Sequence, residues 1–91
     1  MTDKIDLSVI IPVYNEAATC AEIIKRVQAI SIVYEIIVVD DASTDGTIDI
    51  LETIDNLKVI RHEQNSGKGV AVRTGLAHVI ENYVITQDAD L

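Results

Sequence analysis

Residues 34–46, YEIIVVDDASTDG, decide the fold of this chain. The β-branched run at 36–39 has no polar break, which is typical of a strand buried on both faces within a parallel sheet. The run ends at two carboxylates, Asp40 and Asp41, and a Ser-Thr-Asp-Gly cluster at 43–46 can then begin a helix. Open α/β sheets build ligand sites where a buried strand delivers acids to its carboxyl end and turns into a helix.

The composition limits both the architecture and the partners. With 91 residues, of which 48% are hydrophobic and 3% aromatic, the chain is expected to form one small domain with an aliphatic core. The net charge of −8 argues against a nucleic-acid partner, because binding to phosphate backbones requires clustered Lys and Arg. The negative charge does not exclude a nucleotide as a ligand, since a metal ion and backbone amides can hold its phosphates.

The cysteine content and the lengths of the apolar runs indicate the cellular compartment. Cys20 is the only cysteine, which rules out an internal disulfide and indicates a reducing compartment. No apolar run approaches the length of a membrane span, and the charged first six residues do not resemble a secretory signal. We therefore expect a cytoplasmic protein that reaches a membrane only through segments outside this chain.

Four apolar strands alternate with three amphipathic helices. The pattern predicts strands at 7–13, 35–39, 57–61 and 83–86 and helices at 16–30, 45–54 and 68–82. This alternation predicts a three-layer, Rossmann-like α/β fold, whose parallel sheet has the order 3-2-1-4 with right-handed crossovers. Asn15 is the expected N-cap of the first helix, and Cys20 falls on its apolar stripe, where we expect a core thiol rather than a nucleophile.

The third helix combines an apolar side with a glycine. Val72, Leu76, Val79 and Ile80 recur on one side of the predicted helix. Gly75 costs about 1 kcal/mol relative to alanine, which favours close packing on a neighbouring element.

Acidic loops converge where the predicted sheet reverses its strand order, between strands one and four. The loops at 12–16 and 87–91 enter that crevice beside Asp40 and Asp41. Asp88 and Asp90 form an Asp-x-Asp pair whose carboxylates can hold Mg²⁺ or Mn²⁺, and the alternative is a solvated acidic turn. Of Asp40 and Asp41, we expect one to be an N-terminal charge for the next helix and the other to meet a ligand.

A glycine-flanked lysine opens the third helix. The charge of Lys68 and the helix N-terminus both favour phosphate. The loop lacks the Walker A pattern, and no GxGxxG follows the first strand, which argues against a dinucleotide dehydrogenase. Tyr14 either stacks on a base or packs within its loop, while His62 and His78 are expected to be structural or solvated.

Four segments that span nearly the whole chain carry a family resemblance. They are SVIIPVYNEA at 8–17, EIIVVDDASTDGT at 35–47, NSGKGVAVRTGL at 65–76 and VITQDADL at 84–91. Together they resemble glycosyltransferase family 2, above all its polyprenyl-phosphate sugar synthases. The resemblance implies the nucleotide-binding half of a GT-A fold and an inverting transfer of sugar from a UDP- or GDP-sugar, with polyprenyl phosphate as acceptor.

The same resemblance implies roles for individual residues. The nucleoside part of the nucleotide-sugar site would be lined by Pro12, Tyr14 and Glu16, and the base would be recognised by Asp41. Lys68 would lie near the base or the phosphates, and Asp88 would contact the ribose or the metal region. Asp88 and Asp90 would form the metal site for Mg²⁺ or Mn²⁺ on the pyrophosphate.

Members of that family continue past the Asp-x-Asp pair into acceptor-binding segments and the catalytic base, whereas this sequence stops one residue after Asp90. We therefore expect residues 1–91 to form a single truncated domain that is inactive alone, and we assign no catalytic residue.

Two other functions stay open at this point. A phospho-receiver domain also uses an acidic pair after a strand, although its pair follows the first strand and a later lysine-ended strand is missing here. The other alternative is a non-catalytic nucleotide-binding or interaction module, and an interaction module is favoured if no nucleotide binds at all.

The fourth strand lies at an edge of the predicted sheet. Residues 83–86, YVIT, carry no charge or proline that would blunt such an edge. We expect a homodimer through this edge, and the alternative is a monomer whose last residues fray.

Overall fold

The computed structural model describes residues 6–81 and 83–90, which form four parallel strands alternating with three helices. The elements are β1 (Leu7–Val13), α1 (Cys20–Gln28), β2 (Val33–Asp40), α2 (Thr47–Glu52), β3 (Lys58–Arg61), α3 (Lys68–Leu76) and β4 (Tyr83–Thr86). The sheet has the order β3-β2-β1-β4 with every pairing parallel, so the predicted topology is confirmed.

Helices cover both faces of the sheet. Val38 of β2 packs with the buried side of α1 and with Leu51 of α2. Its neighbours Ile37 and Val39 point the other way and pack with Ala71 of α3. The β-branched run of β2 is therefore buried on both faces, as its sequence predicts.

The first two helices are shorter than predicted. α1 begins at Cys20 rather than at residue 16, and α2 covers 47–52 rather than 45–54. Asn15 is not the N-cap of α1, because Thr19 holds that position and Asn15 has a left-handed φ of 51°. Cys20 lies in the core, as expected, and burial raises the pKa of its thiol.

The third helix differs most from its prediction. It ends at Leu76, and the predicted end at Asn82 lies outside the described residues. Its buried side is Ala71 and Gly75 rather than the predicted apolar stripe, since Leu76 and Ile80 are 47% and 65% exposed.

Gly75 explains why small residues face the sheet. A Cβ at this position would lie 2.6 Å from Cγ2 of Ile10, so the helix approaches β1 closely, as its sequence suggested. Glu35 of β2 accepts the Ile80 N–H at 3.0 Å and the Ser8 hydroxyl at 2.6 Å, which draws the chain after the helix onto the sheet.

β4 is an edge strand whose side chains are exposed to solvent. β4 pairs with β1 on one side, and all four of its residues are exposed. Tyr83 and Ile85 are about half exposed because neither α1 nor α2 packs on them in the part of the chain that the structure describes.

Candidate functional site

A cleft of about 340 Å³ opens at the carboxyl ends of β1 and β4, at the switch point of the sheet. The structure brings together all seven residues that the sequence places in a nucleotide-sugar and metal site. These residues line the cleft: Pro12, Tyr14, Glu16, Asp41, Lys68, Asp88 and Asp90.

The loop between β1 and α1 forms one wall, and the loop between β2 and α2 fixes it. The Asn15 N–H donates to Ser43 Oγ at 2.9 Å, and the Asn15 side chain accepts the Thr44 N–H at 2.7 Å. Ser43 in turn donates its hydroxyl to Asp40 at 2.5 Å. These bonds hold Asn15 in its left-handed conformation and leave Tyr14 beside it 47% exposed on the cleft.

Two further side chains complete this wall. The Glu16 N–H donates to Thr47 Oγ1 at 3.2 Å, and the Ala17 N–H donates to Asp45 at 3.1 Å. Asp45 also accepts the Thr47 N–H at 3.0 Å and the Thr47 hydroxyl, which lowers the pKa of its carboxyl. These bonds fix the segment that precedes α1 against the loop between β2 and α2.

Asp40 and Asp41 have different surroundings. Asp40 is fully buried, accepts both the N–H and the hydroxyl of Ser43, and lies 3.7 Å from the Arg61 guanidinium. It thus fixes a turn, and the expectation that one of the pair serves as an N-terminal charge is wrong, because α2 begins only at Thr47. Asp41 is the member of the pair that lines the cleft.

The Asp41 carboxylate is held by three donors. His62 Nδ1 lies 2.7 Å from its Oδ1, and the N–H groups of Ser66 and Gly67 donate at 2.9 and 2.8 Å. Burial alone would raise the pKa of Asp41, but these hydrogen bonds outweigh burial and hold the pKa below its usual range. Asp41 is therefore an anion that accepts hydrogen bonds at neutral pH.

The opposite wall carries the Asp-x-Asp pair. The middle residue, Ala89, is buried, and its carbonyl accepts the Thr19 hydroxyl at 2.6 Å. This anchor leaves Asp88 and Asp90 exposed on the cleft. Lys68, at the start of α3, donates to Asp88, and that contact raises the pKa of Lys68.

Carboxylate oxygens are the ligands that Mg²⁺ and Mn²⁺ prefer, and such ions are often held by one or two carboxylates plus substrate phosphates. Asp88 and Asp90 fit this pattern, and a cation, the Lys68 ammonium, already lies against Asp88. Within residues 6–81 and 83–90, no group of three or more His, Cys, Asp or Glu side chains could hold a metal ion by itself. A metal ion held by Asp88 and Asp90 would need further oxygen atoms from a molecule bound in the cleft.

Several residues that build the site are not assigned to it from the sequence, which places Ser43 and Asp45 only in a cluster that can begin a helix. Ser43, Asp45 and Thr47 could have been recognised, because short polar side chains before a helix commonly bond to nearby backbone amides. Thr19 and His62 give no comparable signal, since each depends on a partner far along the chain. His78, the other histidine, is exposed and bonds to the Thr74 carbonyl.

Comparison with known proteins gives consistent results. The model of glycosyl transferase family 2 matches residues 8–91. A curated relative from Salmonella choleraesuis, undecaprenyl-phosphate 4-deoxy-4-formamido-L-arabinose transferase, is 34% identical over 94 residues, which cover 93% of this chain and 29% of the relative.

Two solved structures share the fold. S. aureus TarS in complex with UDP has a TM-score of 0.83 at 33% identity, covering 93% of this chain and 27% of that one. The mannosyltransferase PcManGT from Pyrobaculum calidifontis, in complex with GDP-Man and Mn²⁺, has a TM-score of 0.83 at 32% identity, covering 98% and 28%. The chain thus spans less than a third of the length of each of these three proteins.

Proposed function

This chain belongs to glycosyl transferase family 2, and on that premise we propose that its cleft binds the nucleoside diphosphate of a UDP- or GDP-sugar together with a divalent metal. The observation that carries the proposal is the meeting of all seven expected residues in one cleft. The family match decides against the phospho-receiver alternative. The expected GT-A architecture is confirmed by the likeness to solved glycosyltransferases.

The nucleoside would lie against the wall built by the β1–α1 loop. Pro12, Tyr14 and Glu16 face this part of the cleft, and the exposed ring of Tyr14 offers a surface for stacking. Asp41, as an anion with hydrogen-bond acceptors only, suits a base that presents an N–H group. The phosphates would lie toward Lys68 and the N-terminus of α3, because the lysine ammonium and the positive end of the helix dipole both favour anions.

Asp88 and Asp90 would hold Mg²⁺ or Mn²⁺ together with the pyrophosphate, with Asp88 also near the ribose. A bound divalent ion would neutralise the charge on the departing nucleoside diphosphate. Metal and Lys68 compete for the same carboxylate, so we propose that Lys68 leaves Asp88 and turns to the phosphates when the site fills.

We propose that residues 1–91 are the donor-binding part of a longer transferase and do not transfer sugar alone. Relatives named as undecaprenyl-phosphate transferases support a polyprenyl phosphate acceptor. We also propose that the transfer inverts the anomeric centre and takes place at the cytoplasmic face of a membrane. No helix among the described residues is long and apolar enough to cross a membrane. We assign no catalytic base within these residues.

The test is a titration of the ¹⁵N-labelled chain with UDP and GDP, with and without Mg²⁺, followed by NMR. We expect metal-dependent shifts at residues around the cleft for at least one nucleotide. Asp90→Ala should remove the metal-dependent part, whereas Asp49→Ala, an exposed acid on α2, should retain it. Equal titrations of the wild type and Asp90→Ala would contradict the metal role, and no binding of either nucleotide would contradict the function.

We also propose that two copies pair through the outer edge of β4 when nothing else covers it. The exposed, uncharged residues of this strand leave backbone groups and apolar surface open together. Sedimentation at micromolar concentration should show a dimer, and Ile85→Lys should give a folded monomer. A wild-type chain that stays monomeric at high concentration would overturn this proposal.

A further inference from the structure

His62 joins three elements of the fold beside the cleft. It directly follows β3, and its backbone N–H donates to the Asp40 carbonyl at 2.8 Å, which extends the parallel pairing by one residue. Its ring lies between Asp41 on one side and Thr74 of α3 on the other, with Nδ1 2.7 Å from Asp41 Oδ1 and Nε2 2.8 Å from Thr74 Oγ1. The side chain is only 14% exposed.

The ring orientation is determined by both contacts. An ionised carboxylate only accepts hydrogen bonds, so Nδ1 must carry a hydrogen toward Asp41. The Thr74 hydroxyl also lies 3.0 Å from the Val70 carbonyl, so it can accept from Nε2 while donating to that carbonyl, or donate to Nε2. Thr74 therefore satisfies Nε2 in either case and holds the ring edge-on to Asp41.

The donors around Asp41 leave one acceptor position. A carboxylate offers about four lone-pair positions, two on each oxygen. His62 and the Ser66 N–H occupy Oδ1, and the Gly67 N–H occupies one position on Oδ2. One position on Oδ2 is thus left by these three donors, and Asp41 is one of the residues that line the cleft.

We propose, on the basis of the nucleotide site proposed above, that His62 is a positioning residue for base selection: it fixes the Asp41 carboxylate so that one acceptor position faces the base. A fixed acceptor accepts the N3–H of uracil or the N1–H of guanine. It repels cytosine and adenine, which carry a lone pair at the corresponding ring nitrogen. Sites built to hydrogen-bond an N–H reject analogues that lack it, because the buried polar group then stays unpaired.

Without His62, Oδ1 keeps only the Ser66 N–H and Oδ2 keeps the Gly67 N–H, so two donors instead of three hold the carboxylate and it turns away from its position more easily. Binding of UDP or GDP should then weaken by about tenfold, as expected for loss of one charge-assisted hydrogen bond that orients the acceptor. Binding of CDP or ADP should weaken much less, because a rotated carboxylate no longer repels them. The selectivity ratio falls, and this separates positioning from a purely structural role, which would weaken all nucleotides in parallel.

The experiment measures dissociation constants in Mn²⁺ for two pairs, UDP against CDP and GDP against ADP. The variants are His62→Ala and His62→Asn, since Asn places an amide nitrogen near the position of Nδ1. Thr74→Val and Thr74→Ser form a second matched pair that removes or keeps the hydroxyl on Nε2. His78→Ala is the control, because His78 lies away from Asp41 and is exposed.

We expect a reduced selectivity ratio in His62→Ala, partial recovery in His62→Asn, and a smaller reduction in Thr74→Val that Thr74→Ser restores. Wild-type selectivity in a folded His62→Ala that binds UDP or GDP would overturn the positioning role and leave the nucleotide site intact. A parallel loss for all four nucleotides would also overturn it. A wild type that binds none of them refutes the proposed function instead, and the two failures are thereby distinguished.

Discussion

The two walls of the cleft are built differently. On the wall formed by the β1–α1 and β2–α2 loops, three consecutive backbone amides bond to Ser43, Thr47 and Asp45, and Asp40 beneath them is fully buried. On the opposite wall, Asp88 and Asp90 stand exposed after an edge strand that is itself exposed. We call these the stitched wall and the open wall.

The difference indicates which half of the site exists before its ligand arrives. The stitched wall holds its shape through hydrogen bonds within the protein, so the surface offered to a nucleoside is preformed. The open wall carries the carboxylates of Asp88 and Asp90 and the ammonium of Lys68. The ion pair between Lys68 and Asp88 is exposed, so it contributes little to the free energy of unfolding. Thr19 anchors its backbone at Ala89, and we expect the proposed metal and phosphates to order its two carboxylates. The predictions below test this contrast from the largest effect to the smallest.

Removing a charge from each wall should have very different effects on folding. Asp40→Ala leaves the Ser43 N–H and hydroxyl without their acceptor in a buried place, which should lower the free energy of unfolding by about 2 to 3 kcal/mol. Asp88→Ala should leave the free energy of unfolding unchanged, because its partner is exposed. Urea denaturation of both variants measures this, and equal losses would show that the walls do not differ.

Acid should act on the stitched wall through Asp41. Its folded-state pKa lies below the ordinary value, so folding favours the ionised form. The resulting stabilisation is complete above the ordinary Asp pKa of about 3.9 and is lost as the pH falls through the lower folded value. Asp41→Asn should therefore lose less stability than the wild type below about pH 4. Unfolding measured against pH checks this, with Asp49→Asn as a control that should follow the wild type.

Thr19 connects the two walls by a single hydrogen bond to the Ala89 carbonyl. Thr19→Val should cost about 1 kcal/mol of unfolding free energy and loosen the Asp88–Asp90 segment. Thr53→Val is the matched control, since the Thr53 hydroxyl bonds to the Ile50 carbonyl beside it and is exposed. If both variants keep the same amide exchange at Ala89, the connection does not order the open wall.

The sequence predicts much of this fold because each strand has an apolar centre, although β2 begins at Val33 rather than at 35 and β3 at Lys58 rather than at 57. β1 and β4 have the predicted bounds, and the strand order follows from alternation and crossover handedness. The gathering of the seven cleft residues was also predictable, since they come from the carboxyl ends of strands and from the N-terminus of α3.

What the sequence could not show depends on partners distant in the chain. α1 starts at Cys20 rather than at residue 16. The amides of Asn15 and Glu16 bond to side chains about thirty positions later, and helical periodicity carries no signal for such contacts. The apolar stripe of α3 was misassigned because close approach at Gly75 turned small residues toward the sheet. His62 looked unremarkable because a lone histidine gives no indication of Asp41 until β2 and β3 lie side by side.

Amide hydrogen exchange, with and without UDP or GDP and Mn²⁺, tests the contrast between the walls most directly. In the free protein we expect the amides of Asn15, Glu16 and Ala17 to be protected already and to change little on binding. The amides around Asp88 and Asp90 should exchange freely at first and become protected only with nucleotide and metal together. Free exchange at 15–17 before binding, or protection around Asp90 without any ligand, would contradict this account of a stitched and an open wall.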